Sequence, residues 1–587
     1  MEDLKRALVR ANLGQTALLT VPWIVLQVGG FWAFSDPRAG AAGAMGIGII
    51  AGLALLMLGI YYQLSQVQFA NIICKQTDAD VEFYGFFSLL RFWNDQLESV
   101  RKRVPGYLNT LRLNYISLPL AFLACILDFW TVALFMVLVW CLTGMLVRSA
   151  VAHSVSGEHS LISGAVKFKA FLLFAAAAAS WGYVWFEAGR AEQAFREKIA
   201  QLQSGSLPFA ASDLEALYKL DGANGAEAVK ALSHLPAVPE PMVRLASSGW
   251  VENVPADAYV ELEKFVFNNA GVMEKITEIG RNPVARLGFD FKQGFAGMSG
   301  AELLPRYRKL EELERLRFYS AASVGNDRLV GESWRVLGAL RRHLSSEPAL
   351  SVSAVMMEME SRRLGALERL LNEFGVHSEK EEKALAADLA VTEKELEANI
   401  VLALKGETAL YLISEIDPLA EWDRTAGIFP GMNRIFPAFR WVRYFCFQTY
   451  LDGMEKLEAA AVDPGQLPGV RAWSRTLPFG AAPAISALRV ADDAVVQYLV
   501  LQRKLRSARI ALLLDRYRRA RGGFPDSLAE LKTLPTSVMV DPLTGKALTY
   551  GKEGFTVEVS GIAGKAVRRV KFDGAEIGGP SGFRLKR

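Results

Sequence analysis

The sequence predicts a mainly α protein. It has a helical transmembrane bundle of about five spans, a helical array outside the membrane and a small α+β domain at the C-terminal end. Three observations predict this. Hydrophobic residues make up 51% of the chain but crowd into the first 190 positions. Residues 301–412 repeat apolar side chains at a three-to-four spacing. The last hundred residues change to turns and short alternating runs. At 587 residues the chain exceeds what one core accommodates, and the divisions read 1–187, 188–300, 301–480 and 481–587.

QTALLTVPWIVLQVGGFWAF (15–34) is one bilayer's length of apolar helix. A second span at 41–62 follows after a short SDPRAG turn, so the first is not a cleaved signal. Gly48 and Gly52 in the second span have GxxxG spacing; bundle packing is the first reading and a specific dimer face the alternative. Residues 115–147 form one apolar stretch with Asp128 near its middle, beside Phe129 and Trp130. A mid-bilayer carboxylate is costly, so Asp128 reads as the turn of a hairpin with arms at 108–127 and 130–147, or else as a buried functional group. The last span is FKAFLLFAAAAASWGYVWF (168–186).

Basic residues orient the set. Lys5, Arg6 and Arg10, then Lys75 to Arg112, then Arg148, Lys167 and Lys169 all fall on one side if 108–147 is a hairpin. The expected topology is an inner-membrane, multi-pass protein with a cytoplasmic N-terminus and everything beyond residue 187 extracytoplasmic. The mixed aromatic and basic segment between 65 and 114 reads as a helix on the membrane surface or a soluble hairpin capping the bundle.

Residues 188–300 read as an irregular helical connector, with turns at SLPFAASDL, LPAVPEPM and IGRNPVARLG. Four helical segments then follow between 301 and 390, and Thr392–Glu395 (TEKE) has a capping-box pattern that predicts a new helix start. No fixed period is present, which argues against a tetratricopeptide array. The aromatic stretch IFPGMNRIFPAFRWVRYFCFQTYLDGMEKLEAA (428–460) reads first as core; docking on the membrane surface or a binding groove are the alternatives.

A long helix at about 491–521 opens the last division. GGFPDSLAEL stops it at a glycine pair and restarts a short helix capped by Asp526 or Ser527. DPLTGKALTYGKEGFTVEVSG then reads as a turn and strands at 547–550 and 555–560, with more in AVRRVKFDG. This order resembles the globular part of type II secretion pseudopilins, above all the G-type one. The matching residues are Tyr517, Gly523, Phe524, Pro525, Ser527, Leu528, Leu531, Asp541, Pro542, Gly545 and Tyr550. The resemblance covers about 490–562 and implies the fold of that family's small antiparallel sheet. It does not carry the polymerising role, because the helix is internal and bears Arg503, Lys504, Arg506 and Arg509. Calcium held by some members would find only Asp541 here, too little for a cation that takes six or more oxygens. The layout also resembles uncharacterised bacterial membrane-anchored proteins with the same tail.

No catalytic, cofactor or metal residues are assigned. Lys546 lies in TGKA, without the first glycine or the hydroxyl of a phosphate loop. His153, Glu158 and His159 lack an HExxH spacing. Glu415, Asp417, Glu421 and Asp423 offer carboxylates, but Asp417-Pro418 reads as a turn and helix cap. Met298-Ser299-Gly300 lacks the surroundings of a nucleophile elbow. Four scattered cysteines argue against a disulfide framework, and a formal charge of +4 gives no electrostatic case for nucleic acid. The expected partners are the lipid bilayer and proteins of the cell envelope, with a structural or accessory role in envelope or secretion-type assembly. A transporter or channel, and a membrane-anchored enzyme with its site in 190–480, are the alternatives.

Overall fold

In the computed structural model the described residues are 1–36, 40–77, 107–126, 130–157, 164–204, 211–217, 224–232, 234–247, 256–282, 284–425, 437–531, 535–548, 550, 571–572 and 575–576. The chain is mainly helical and forms two compact units. One comprises Met1–Gln201, Ala420–Thr449 and Thr476–Ala484, and the other Leu202–Leu419, Tyr450–Arg475 and Ile485–Arg587.

The first unit begins with α1 (Glu2–Ile24), which contains Pro22 and passes through a π turn at Val25–Gly29 into α2 (Gly30–Ser35). Proline removes a backbone donor inside a helix, and the wider turn that follows absorbs the break. α3 (Gly40–Gln76), α4 (Tyr107–Ile126), α5 (Trp130–Ser156) and α6 (Gly164–Ser204) follow in this unit. Four helical stretches among the described residues are long and apolar enough to cross a membrane: Glu2–Ser35, Met45–Gln76, Phe135–Ser156 and Gly164–Leu202. Their aliphatic and aromatic side chains face outward, as at Leu56, Met57, Leu142, Leu146, Phe168 and Phe171, an arrangement that suits lipid and is costly in water.

These helices outrun the expected spans for a physical reason. Where the lipid-facing runs end, Leu4, Leu8, Phe69, Ile73, Tyr107, Leu111, Val147 and Val151 close a buried core at one end of the bundle. That core keeps α1, α3 and α5 helical beyond the apolar stretches. α4 packs against α5, where Asn114 Nδ2 donates to the Trp140 carbonyl at 2.7 Å; of the two arms expected as spans, only α5 is among the four stretches above. The expected turn, with Asp128, lies outside the described residues, as does most of the aromatic and basic segment after α3. Among the described residues no neighbouring atom lies within 4 Å of where a Cβ on Gly48 or Gly52 would stand, so no close helix approach is seen there. The close approach is made instead at Gly29, whose Cβ would stand 2.9 Å from Ile47.

In the second unit the connector holds short helices α7 (Ala211–Leu217), α8 (Gly225–Ala231) and α9 (Glu240–Ser247), then α10 (Ala256–Asn268) and α11 (Ala270–Arg281). The array follows as α12 (Leu304–Ser323), α13 (Asp327–Ser345), α14 (Leu350–Arg369) and α15 (Glu379–Thr425). α14 is buried on every face, as a central helix must be. Two expectations fail in α15. No helix starts at Thr392: that side chain is fully buried within one continuous helix, and Glu395 reaches Arg341 on α13 rather than back to a cap. Asp417-Pro418 opens no turn, since the helix runs on to Thr425. Gly406 earns its place, because a Cβ there would lie 2.0 Å from the Pro348 carbonyl in the α13–α14 turn.

Beyond α15 come α16 (Pro437–Val462), α17 (Leu467–Arg475) and α18 (Ala482–Arg521). α18 starts earlier than expected and stops at Gly522, where φ is +75°, a conformation glycine adopts without strain. A capping box of Ser527 and Glu530 then opens a 3₁₀ turn at Leu528–Glu530. Asp541 organises the DPLTGK turn, accepting from Leu543 N at 3.0 Å and Thr544 Oγ1 at 2.9 Å. The strand expected at 547–550 is a single antiparallel bridge of Ala547 with Val540, and the Tyr550 hydroxyl turns away to donate to the Pro525 carbonyl at 2.7 Å. The 555–560 segment lies outside the described residues, and a two-stranded antiparallel pair, β1 (Lys571–Phe572) and β2 (Ala575–Glu576), falls in and just after the AVRRVKFDG stretch.

Candidate functional site

The polar residues of the apolar bundle converge on Arg148. Asn12, Gln15 and Thr16 share one face of α1 because three- and four-residue spacings return to the same side of a helix. Arg148 stands on α5 and is 2% exposed. Its Nε donates to Asn12 Oδ1 at 2.7 Å, Nη1 donates to the Tyr62 hydroxyl on α3 at 3.3 Å, and Nη2 donates to Gln15 Oε1. Asn114 on α4 joins by donating to Thr143 Oγ1 at 2.9 Å. Gly144 leaves room for the Gln15 amide, whose atoms would lie 3.0 Å from a Cβ there.

This arrangement is electrostatically unusual. A guanidinium removed from water normally pairs with a carboxylate, which repays part of its desolvation. Among the described residues Arg148 has only neutral oxygens, so its positive charge is solvated by dipoles and not cancelled. The Nδ2 of Asn12 has no hydrogen-bond partner among the described residues. Arginine stays charged, so the group cannot exchange protons; it can clamp three helices or draw an anion. A buried ionisable residue in an apolar bundle is a functional candidate for this reason.

The sequence reading assigned Arg148 to a cytoplasmic loop. Here it lies inside α5, which continues to Ser156, and the signal was present in Val147, Val151 and Ala152, which keep the apolar period going past it. Of the other candidates, His153 occupies the last turn of α5, while Glu158 and His159 lie outside the described residues. Ser299 starts a 3₁₀ segment, Ser299–Leu303, and Lys546 is exposed in the Asp541 turn. The helix α15 carries Glu415, Asp417, Glu421 and Asp423, whose side chains lie outside the described set.

A second cluster, of full charges, lies in the other unit. Arg341, Glu360 and Arg363 are buried, with Arg341 Nε 3.2 Å from Glu360 Oε2 and Arg363 Nη1 3.2 Å from the same oxygen. Arg341 also pairs with Glu395, and Arg363 with Asp388, which accepts from Trp334 Nε1 at 2.8 Å. Burial alone would raise the Asp388 carboxyl; Arg363 outweighs it and, with Trp334, holds the group below its usual range. Lys504 on α18 donates to the Ser361 carbonyl at 3.1 Å, its pKa lowered by burial against the pull of Glu368 and Glu360. The charges alternate in sign and tie α13, α14, α15 and α18 together. Their chemistry is bracing, since each carboxylate is already engaged by a cation.

Compared with known proteins, the chain matches no family model, no curated protein and no solved structure.

Proposed function

We propose that the chain is a bacterial inner-membrane protein whose large extracytoplasmic helical region is a structural or accessory scaffold in envelope or secretion-type assembly. The observation that carries this reading is the mutual pairing of one charge cluster in the second unit. Arg341, Glu360, Arg363, Asp388 and Glu395 stiffen three helices against one another, and each of the three carboxylates is engaged by an arginine. The outward apolar side chains of the first unit support a bilayer anchor. The capping box, the glycine stop and the Asp541 turn support a pseudopilin-like cassette as the closing module. The basic residues favour a cytoplasmic N-terminus and an extracytoplasmic C-terminus.

Reporter fusions to the full chain test the topology. Green fluorescent protein at residue 160 and alkaline phosphatase after residue 587 should both be active, and a cytoplasmic signal at 587 would sink the scaffold's location. A photo-crosslinking residue at Phe267, 81% exposed on α10, should give discrete adducts with envelope proteins. Only self-adducts or none there would count against a scaffold. A transporter or channel-like role is the second reading, and Arg148 favours it, because an uncancelled buried cation attracts anions. Anion flux in reconstituted vesicles, abolished by Arg148→Met, would establish that reading instead.

A further inference from the structure

Three elements of the first unit bring aromatic rings together at one end of the apolar helices. Phe31 of α2 lies edge-on to Tyr183 of α6 at 5.7 Å and to Trp441 of α16 at 5.2 Å. Trp441 stacks on Phe445 at 4.7 Å, and Phe195 of α6 packs against Tyr444 and Phe447. From Trp441 onward the aromatic stretch read as core is therefore core on one face, while residues 428–436 lie outside the described residues. On its other face Trp441, Phe445 and Gln448 join Glu187, Arg190 and Ala194 of α6 to line an open groove of about 440 Å³.

The position of this groove identifies its occupant. The apolar run of α6 ends at Phe186, 63% exposed, and Arg190 follows one helical turn later, about 6 Å along the axis. Headgroups occupy roughly that distance beyond the hydrocarbon, so the groove opens at headgroup level and is continuous with the lipid-facing side of α6. Its charge is paired: Arg190 Nη1 lies 3.3 Å from Glu187 Oε1, and Glu197 lines the groove as well. A site already carrying its own anions discriminates against a simple anion and suits a ligand with both signs.

We propose that this groove binds the zwitterionic headgroup of a phospholipid. The phosphate meets Arg190, and the ammonium meets Glu187 beside the aromatic wall of Trp441 and Phe445. The acyl chains run back along Tyr183 and Phe186, exposed on α6. The inference rests on the bilayer anchor of the proposed function but not on which side of the membrane the groove faces.

The full-length protein in nanodiscs of mixed phosphatidylethanolamine and phosphatidylglycerol, released and weighed by native mass spectrometry, tests it. Wild type should retain phosphatidylethanolamine above its bulk share. Arg190 is largely exposed, so Arg190→Ala leaves the fold intact and should lower retention about tenfold, the loss of one charge-assisted hydrogen bond. Glu187→Gln should shift retention toward phosphatidylglycerol. Equal retention of both lipids by wild type, or unchanged retention in both variants, would overturn the proposal. Failure of the protein to enter nanodiscs would overturn the bilayer anchor, and the groove's role with it.

Discussion

The guanidinium of Arg363 lies 3.8 Å over the ring of Trp334, while the indole N–H of that tryptophan and Arg363 itself both donate to Asp388. One arginine thus joins α13, α14 and α15 by stacking and by charge. Arg363→Ala should destabilise the protein by roughly 2–4 kcal/mol, because Asp388 loses its nearest cation and Glu360 keeps only Arg341. Arg363→Lys should recover only part of this, since an ammonium cannot stack and fork at once. Thermal unfolding followed by circular dichroism reads both, and equal stability of the alanine variant would contradict the bracing role.

Arg148 is expected to behave differently, because its partners are neutral. Arg148→Met strands Asn12, Gln15 and Tyr62 and should cost about 2–4 kcal/mol, at the scale of buried hydrogen bonds to a charged group. Arg148→Lys reaches fewer of the three acceptors and should fall between. Thermal aggregation of the detergent-solubilised protein measures the order wild type, lysine, methionine.

Glu314 on α12 is fully buried, with Arg317 Nη1 at 3.4 Å and Ser333 and Glu332 as neighbours. Burial, opposed by Arg317 and by a hydrogen bond from Ser333, raises its pKa from 4.5 to about 7. The folded state therefore holds a proton that the unfolded chain has released. That contribution is complete below pH 4.5 and is lost as pH rises through 7. Between pH 5 and 8 the loss is on the order of 3 kcal/mol at most. Glu314→Gln cannot ionise, so its unfolding midpoint should fall less than wild type's over that interval.

Gly480 is held on three sides within the first unit. A Cβ there would stand 2.7 Å from the Phe34 carbonyl and 3.1 Å from the Trp441 ring, and the Cys446 thiol donates to the Gly480 carbonyl at 2.8 Å. Gly480→Ala should cost roughly 1–3 kcal/mol by overpacking against a backbone atom that cannot move aside. Limited proteolysis of the full protein should show earlier cleavage at residues 476–484 than in wild type.

How much of this was legible in the sequence varies with the physics involved. Helices announced by apolar periodicity were readable: the segments expected at 301–324, 327–346 and 351–375 hold helices at Leu304–Ser323, Asp327–Ser345 and Leu350–Arg369, because each must bury a stripe. Local backbone chemistry was readable too, as at Gly522 and Ser527. Charge hid the rest. Arg148 read as part of a basic loop, and nothing in a linear pattern says that it or Arg363 will find a partner on a helix 136 or 25 residues away. Thr392 to Glu395 misled for the same reason, since a capping pattern inside a helix looks the same until the tertiary partner of Glu395 is known.

The first unit takes two of its three pieces from beyond residue 419. During synthesis its apolar helices emerge first, yet Phe31 and Phe34 must wait for Trp441 and Phe479, more than 400 residues later. At about 5–20 residues per second that is an interval of tens of seconds. A chain cut before residue 441 would lack both Trp441 and Phe479 and leave Phe31 and Phe34 without these ring partners. Completion of the first unit therefore waits on synthesis of most of the chain.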